Sequence, residues 1–234
     1  MPKSLDIEKI VSLKRQELAG KEEHVLERLI SSTQSIYHRT QISEYHYSQL
    51  EEIASKFDLV LDWFSTTYRR PGDTVEIRFA YEANIFAFLQ NLHALIDSFP
   101  YALNLYFRVF EDLDTPKLGW SKEFIGKYRD YPFNLALKDL CVNEDFQLLR
   151  GYTNKTKHKN ILRVRNKCTY LEFEKIDYDH VTLDAQGGFC RSQKTSSEVN
   201  VMEYLARCHD NLMPIYFGLW EEVMMEKERS ITNG

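Results

Sequence analysis

Helix breakers are scarce in this chain. Only 9 glycines and 6 prolines stand among 234 residues, against 14 tyrosines and 14 phenylalanines. A turn-rich β fold needs glycine and proline at its corners, so this balance predicts long, well-packed helices instead. Paired cysteines are lacking too: Cys141, Cys168, Cys190 and Cys208 are spread out with no C-x-x-C spacing. That is poor metal-site spacing and argues against a disulfide framework, so reduced thiols in a cytoplasmic protein are the expectation. No stretch approaches the roughly 18 consecutive apolar residues of a membrane span. The richest, residues 85–107, is interrupted by Gln90, Asn91, His93, Asp97 and Pro100. The opening MPKSLDIEKIVSLKRQE has no apolar core of the kind a signal peptide requires. Walker, Rossmann and G-x-S-x-G glycine patterns are missing, and no cofactor is expected.

What is present is an ordinary globular balance of 43% hydrophobic and 28% charged residues, enough to build a core rather than a disordered chain. Without an internal repeat or a convincing linker, residues 1–234 read as one domain. The net charge of −5 argues against nonspecific nucleic-acid binding by the whole surface and leaves a local basic site open.

Apolar periodicity places the elements. Ser4 is positioned to cap a helix through about Leu18, ended by Gly20, and residues 21–39 read as a second with Val25, Leu29 and Ile36 inward. Ser43 opens a third, in which Leu50, Ile53, Phe57, Val60 (or Leu61) and Phe64 share one face. Pro71-Gly72-Asp73 stops it, closing the N-terminal helices at residues 1–70. Core helices follow over 74–158. Residues 74–110 form a long stretch apolar on most sides, bent near Pro100, and belong at the centre of a bundle. After a loop at 112–119 come short helices at 122–128 and 134–141, then one capped by Asn143 that runs to about Lys157. Residues 161–191 are rich in β-formers and predict two or three short strands around the Asp184-Ala-Gln-Gly-Gly turn. A final helix over 197–228 carries Val201, Tyr204, Leu205, Leu212, Ile215 and Leu219 inward, with a frayed tail. The expected fold is mainly α: a multi-helix bundle with a small antiparallel β-hairpin inserted before the C-terminal helix.

One window is chemically unusual. No acidic residue lies between Asp145 and Glu172, while Arg150, Lys155, Lys157, His158, Lys159, Arg163, Arg165 and Lys167 all do. In an acidic chain this segregation gives a local positive potential suited to phosphate. Residues four apart on a helix are neighbours, so Arg150, Asn154 and His158 share one stripe. A cation, an amide and an imidazole side by side can hold an RNA phosphate, and the imidazole titrates where general acid–base work needs it. The same residues also fit a plain helix end, with lysines complementing the dipole and His and Asn capping carbonyls. Gly151 weakens such a helix by roughly 1 kcal/mol relative to alanine.

A second candidate pair is His93 and Asp97, four apart on the apolar central helix, where the carboxylate can orient the imidazole. The alternative is a core histidine satisfied by its own helix. Two ligands do not make a metal site, and no metal is expected. Cys208 and His209, adjacent on a helix, point apart and do not form a nucleophile–base pair.

The run Asn154-Lys-Thr-Lys-His158, late in a helical bundle and followed by a hairpin, resembles the HEPN superfamily (higher eukaryotes and prokaryotes nucleotide-binding), as does the preceding Asn91-Leu-His93-Ala-Leu-Ile-Asp97. The resemblance in architecture spans roughly residues 74–234. It implies a homodimeric helical bundle that binds RNA or a nucleotide, of RNA-directed, phage-defence or toxin–antitoxin type. It also implies metal-independent endoribonuclease chemistry in active members. By it, Asn154 matches the family's polar position and His158 its histidine, with Arg150 or Lys157 as a spatial substitute for the family's cation. Joined to the basic window and the central-helix pair, this makes His158, Asn154 and Arg150 the catalytic candidates, and Lys155, Lys157, Lys159, His93 and Asp97 the substrate-binding ones. The family's motif arginine falls on Thr153, which carries no charge, so the chain departs from the pattern there. A noncatalytic module that binds a protein partner is the alternative expectation.

Overall fold

The computed structural model describes residues 5–70 and 73–232, with the backbone alone described at residues 67–70, 73 and 74. The expected Ser4 cap and the Pro71-Gly72 stop lie outside the described residues. The architecture is mainly α with a small set of antiparallel strands. No helix among the described residues is long and apolar enough to cross a membrane.

Helix α1 (Ile7–Leu18) is capped by Asp6, whose carboxylate accepts the Lys9 amide at 2.9 Å. It ends through Ala19 and Gly20, both left-handed. The two helices expected over residues 21–64 are one, α2 (Glu23–Lys56). Ser43 opens nothing; it is a buried interior position. The reason is local: Thr33 and Thr40 hydrogen-bond back to the carbonyls of Leu29 and Ile36, both at 2.9 Å, so these cap-prone residues do not compete with the helix. Val25, Leu29, Ile36 and Leu50 are buried as their spacing predicts. The helix then stops well short of Phe64. Asp58 accepts the amides of Val60 and Leu61 at 3.0 and 3.1 Å, a turn that replaces helical bonding. Leu61 and Phe64 are left outside, 81% and 71% exposed.

An unforeseen antiparallel hairpin follows, β1 (Thr66–Arg70) and β2 (Asp73–Glu76). The central helical stretch therefore begins at Ile77, not residue 74. It is divided at Ser98 into α3 (Ile77–Asp97) and α4 (Phe99–Phe107), with Pro100 in the first turn of α4. Tyr81, Ile85, Phe88, Leu92, Leu95 and Ile96 are buried among α2 and the later helices. Two buried lysines tie the chain's ends to this core. Lys14 and Lys227 both donate to the Tyr106 carbonyl, at 3.0 and 2.9 Å, and share the Glu17 carboxylate.

Short helices α5 (Lys122–Lys127) and α6 (Asn134–Val142) lead to α7 (Glu144–His158), all close to expectation. The β region is larger than one hairpin. Strands β3 (Val164–Asn166), β4 (Leu171–Phe173) and β7 (Val199–Asn200) form a three-stranded antiparallel sheet. Between β4 and β7, strands β5 (Asp177–Leu183) and β6 (Phe189–Thr195) form a separate hairpin that turns at Asp184–Gly188, in register from Asp177↔Thr195 to Leu183↔Phe189.

The C-terminal helix starts at Val201 rather than Ser197, because Asn200 supplies the cap by accepting the Glu203 amide. It runs through α8 (Val201–Arg207), a π turn (Cys208–Leu212) and α9 (Met213–Thr232), so its tail is helical to Thr232 rather than frayed. The π turn inserts an extra residue and rotates the face that follows. Tyr216, Phe217 and Trp220 become the inward positions, and Ile215 is 42% exposed.

Candidate functional site

Helix α7 is built to present its C-terminal end. Asn143 caps it by accepting the Phe146 amide at 3.0 Å, Glu144 and Asp145 occupy the positive end, and Lys155, Lys157 and His158 the negative one. The hairpin β5–β6 lies across this helix, and two residues of α7 make that possible. Gln147, 2% exposed, donates its amide to the Val181 carbonyl and accepts the Val181 N–H, both at 2.7 Å. Gly151 gives the clearance: a Cβ there would stand 2.7 Å from Ile176 Cδ1 and 2.8 Å from Tyr178 Cβ. The helix runs unbroken through Gly151, so the glycine serves close packing and does not bend the stripe.

Between helix and hairpin lies a groove of about 560 Å³. Arg150, Asn154, Lys155, His158 and Lys159 line it from α7 and its C-terminal cap; Lys175, Asp177, Asp179 and Gln193 line it from the hairpin. Asn154, His158 and Lys159 are exposed, and the His158 imidazole makes no hydrogen bond among the described residues. The stripe expected from four-residue spacing is thus brought together on an accessible surface.

Not every expected residue joins it. Lys157, His93 and Asp97 do not line the groove. His93 is 4% exposed on α3, with Nδ1 buried and unpartnered, so it is not a core histidine satisfied by its helix. No hydrogen bond joins it to Asp97. Burial pushes its imidazole down to about 4; Asp97 opposes the fall, while Lys157 and Arg150 add to it. His93 thus lies within electrostatic reach of the α7 cations Lys157 and Arg150. Thr153, at the position the family gives to arginine, is 2% exposed and bonds the Leu149 carbonyl at 2.9 Å. Arg150 does not replace that arginine beside His158, because its guanidinium sits over the Phe146 ring, 5.7 Å from the centroid, toward the other end of the helix.

The basic window is free of acid in sequence but not in space. Lys155 pairs with Glu174 at 3.1 Å, and Glu174 also accepts the Arg163 amide at 2.8 Å. Asp177 and Asp179 add negative charge to the hairpin wall. Sequence reasoning missed Gln147, Lys175, Asp177, Asp179 and Gln193. Alternation in Asp177-Tyr178-Asp179-His180-Val181 marks a strand with its aspartates outward, yet nothing in the chain shows that this strand crosses α7.

Elsewhere, Cys208 and His209 do point apart. The thiol is buried, and burial raises its pKa. His209 reaches Asp210 at 2.6 Å and Glu44 of α2 at 3.1 Å, stacked on Tyr47 with ring centroids 3.9 Å apart. Burial opposes its charge, but these two carboxylates outweigh it and hold the imidazole above its ordinary value. Among the described residues, no three His, Cys, Asp or Glu side chains converge in a way that could hold a metal ion. Comparison of the chain with protein-family models, curated proteins and solved structures gives no significant match to any of them.

Proposed function

We propose that this chain is a HEPN-like RNA-binding protein that holds single-stranded RNA in the α7–hairpin groove without cutting it. The observation that carries this reading is that Arg150, Asn154 and His158 open together into one accessible groove. Arg150 and the lysines supply phosphate contacts, and the stripe from Arg150 to His158 is roughly 12 Å long at the helical rise, enough for a short run of backbone. Binding without cleavage is favoured over turnover because His158 lacks the neighbouring arginine of active family members: Thr153 is buried in its place and Arg150 leans away. Without a fixed cation beside the imidazole, charge developing on a phosphoryl oxygen goes unstabilised.

The test is fluorescence anisotropy of a labelled single-stranded RNA over a range of salt, with EDTA present and the strand checked on a denaturing gel. Wild type should bind more weakly as salt rises, and Arg150→Ala should lower affinity with the RNA intact throughout. No binding at low salt would remove the reading. Cleavage that vanishes in His158→Ala would replace it with a metal-independent ribonuclease, in which a second copy supplies the missing charge.

A further inference from the structure

We infer that the groove reads a guanine base of the bound strand through the carboxylates of Asp177 and Asp179. This rests on the RNA-binding reading above and goes further by naming what the hairpin wall recognises. A groove that bound only phosphate would gain nothing from two carboxylates in its lining, since they repel the backbone. Both are nevertheless left without a counter-ion. The nearest lysines in sequence are spent elsewhere: Lys175 pairs with Glu198 at 3.6 Å and Lys194 with Glu144 at 3.1 Å. Neither aspartate forms an ion pair among the described residues.

Each carboxylate is instead oriented by a neutral neighbour on β6. Asp177 Oδ1 accepts the Thr195 hydroxyl at 2.5 Å, and Asp179 Oδ1 accepts the Gln193 amide. Both Oδ2 atoms remain without a hydrogen bond among the described residues. The ligand group that suits them must donate hydrogen bonds while its phosphate lies on the opposite, cationic wall.

On a single-stranded nucleotide those donors sit on the base edge. Guanine places N1–H and its N2 amine side by side, matching the two oxygens of one carboxylate in a charge-assisted, bidentate pair. Adenine and cytosine offer one amine beside a ring nitrogen whose lone pair faces the carboxylate. Uracil offers a single N–H between two carbonyls. The division of labour is then phosphate on α7 and guanine on β5.

Inosine lacks only the N2 amine, so it isolates the contact. Two labelled oligouridines, one carrying a single guanosine and the other inosine at that position, are titrated into wild type, Asp177→Ala and Asp179→Ala. Thermal melting confirms that both variants fold. Wild type should bind the guanosine strand about tenfold more tightly, the range expected when a charged acceptor loses its donor. At least one variant should bring the two affinities together. Removing a negative charge also relieves repulsion of the backbone in both strands, so the guanosine-to-inosine ratio, and not either affinity alone, is the readout. Equal binding of the two strands by wild type overturns guanine recognition and leaves the phosphate groove standing. Unequal binding that both alanine variants preserve also overturns it. Failure of every strand to bind at low salt removes the groove reading, and this inference with it.

Discussion

Gln147 and Val181 are joined twice, side-chain amide to backbone N–H and C=O, both at 2.7 Å, so a helix residue occupies the pairing edge of a strand. This contact sets where the hairpin lies on α7 and therefore defines one wall of the groove. Gln147→Leu keeps the volume but leaves the Val181 N–H and carbonyl without partners. The expected loss is about 2–4 kcal/mol of stability, measured by urea unfolding, together with weaker RNA binding. Unchanged stability would mean that the amide is not what docks the hairpin.

Gly151→Ala separates helix propensity from packing. On propensity alone the change should stabilise α7 by roughly 1 kcal/mol. The new methyl would press on Ile176 Cδ1 and on Tyr178 Cβ, and the latter is anchored to the strand backbone. Overpacking of this kind costs about 1–3 kcal/mol, so the net effect should be a lower Tm and a displaced hairpin. A higher Tm with full RNA affinity would show that the strand yields freely.

His93 should make stability fall on the acid side of neutrality. Its pKa is lowered from 6.5 to about 4, so the unfolded chain binds the extra proton first. Its contribution is complete above 6.5, is lost as the pH falls from there to 4, and does not change further below. The size is about 3 kcal/mol from the linkage relation. His93→Leu should lack this slope, so the two pH–stability curves should diverge between 6.5 and 4, while at pH 7 the variant remains folded. Parallel curves would place the histidine in contact with solvent.

Lysines of the basic window should not be equivalent. Lys155 is bound to Glu174, whereas Lys159 forms no ion pair among the described residues. Lys159→Ala should therefore weaken RNA binding and flatten its salt dependence by about one charge. Lys155→Ala should act first on stability, by leaving Glu174, 9% exposed, short of its counter-ion. Salt titrations beside urea melts distinguish the two, and identical behaviour would contradict the pairing.

Much of this was legible in the chain because it depends on neighbours in sequence. The Asn143 cap, the acidic first turn and basic last turn of α7, and the Arg150–Asn154–His158 stripe follow from helix geometry alone. Sequence signals that a distant partner could override were misread. Ser43 has the chemistry of a helix cap yet lies buried inside α2, and Ile215 follows an unbroken period until the π turn rotates it outward. The strands Thr66–Arg70 and Asp73–Glu76 carry no signal distinguishable from the helix that follows them.

The amino-acid order by itself determined the mainly helical class, the cap and polarity of α7, and the stripe along it, since these are set by backbone geometry within a few residues. Tertiary structure decided what faces that stripe. Only folding brings β5 against Gln147 and Gly151, gives Lys155 to Glu174, and sets Asp177 and Asp179 in the groove. The electrostatic field there depends on distance in space, and the opposing carboxylates of Glu174, Asp177 and Asp179 lie 19, 22 and 24 residues beyond Lys155 along the chain.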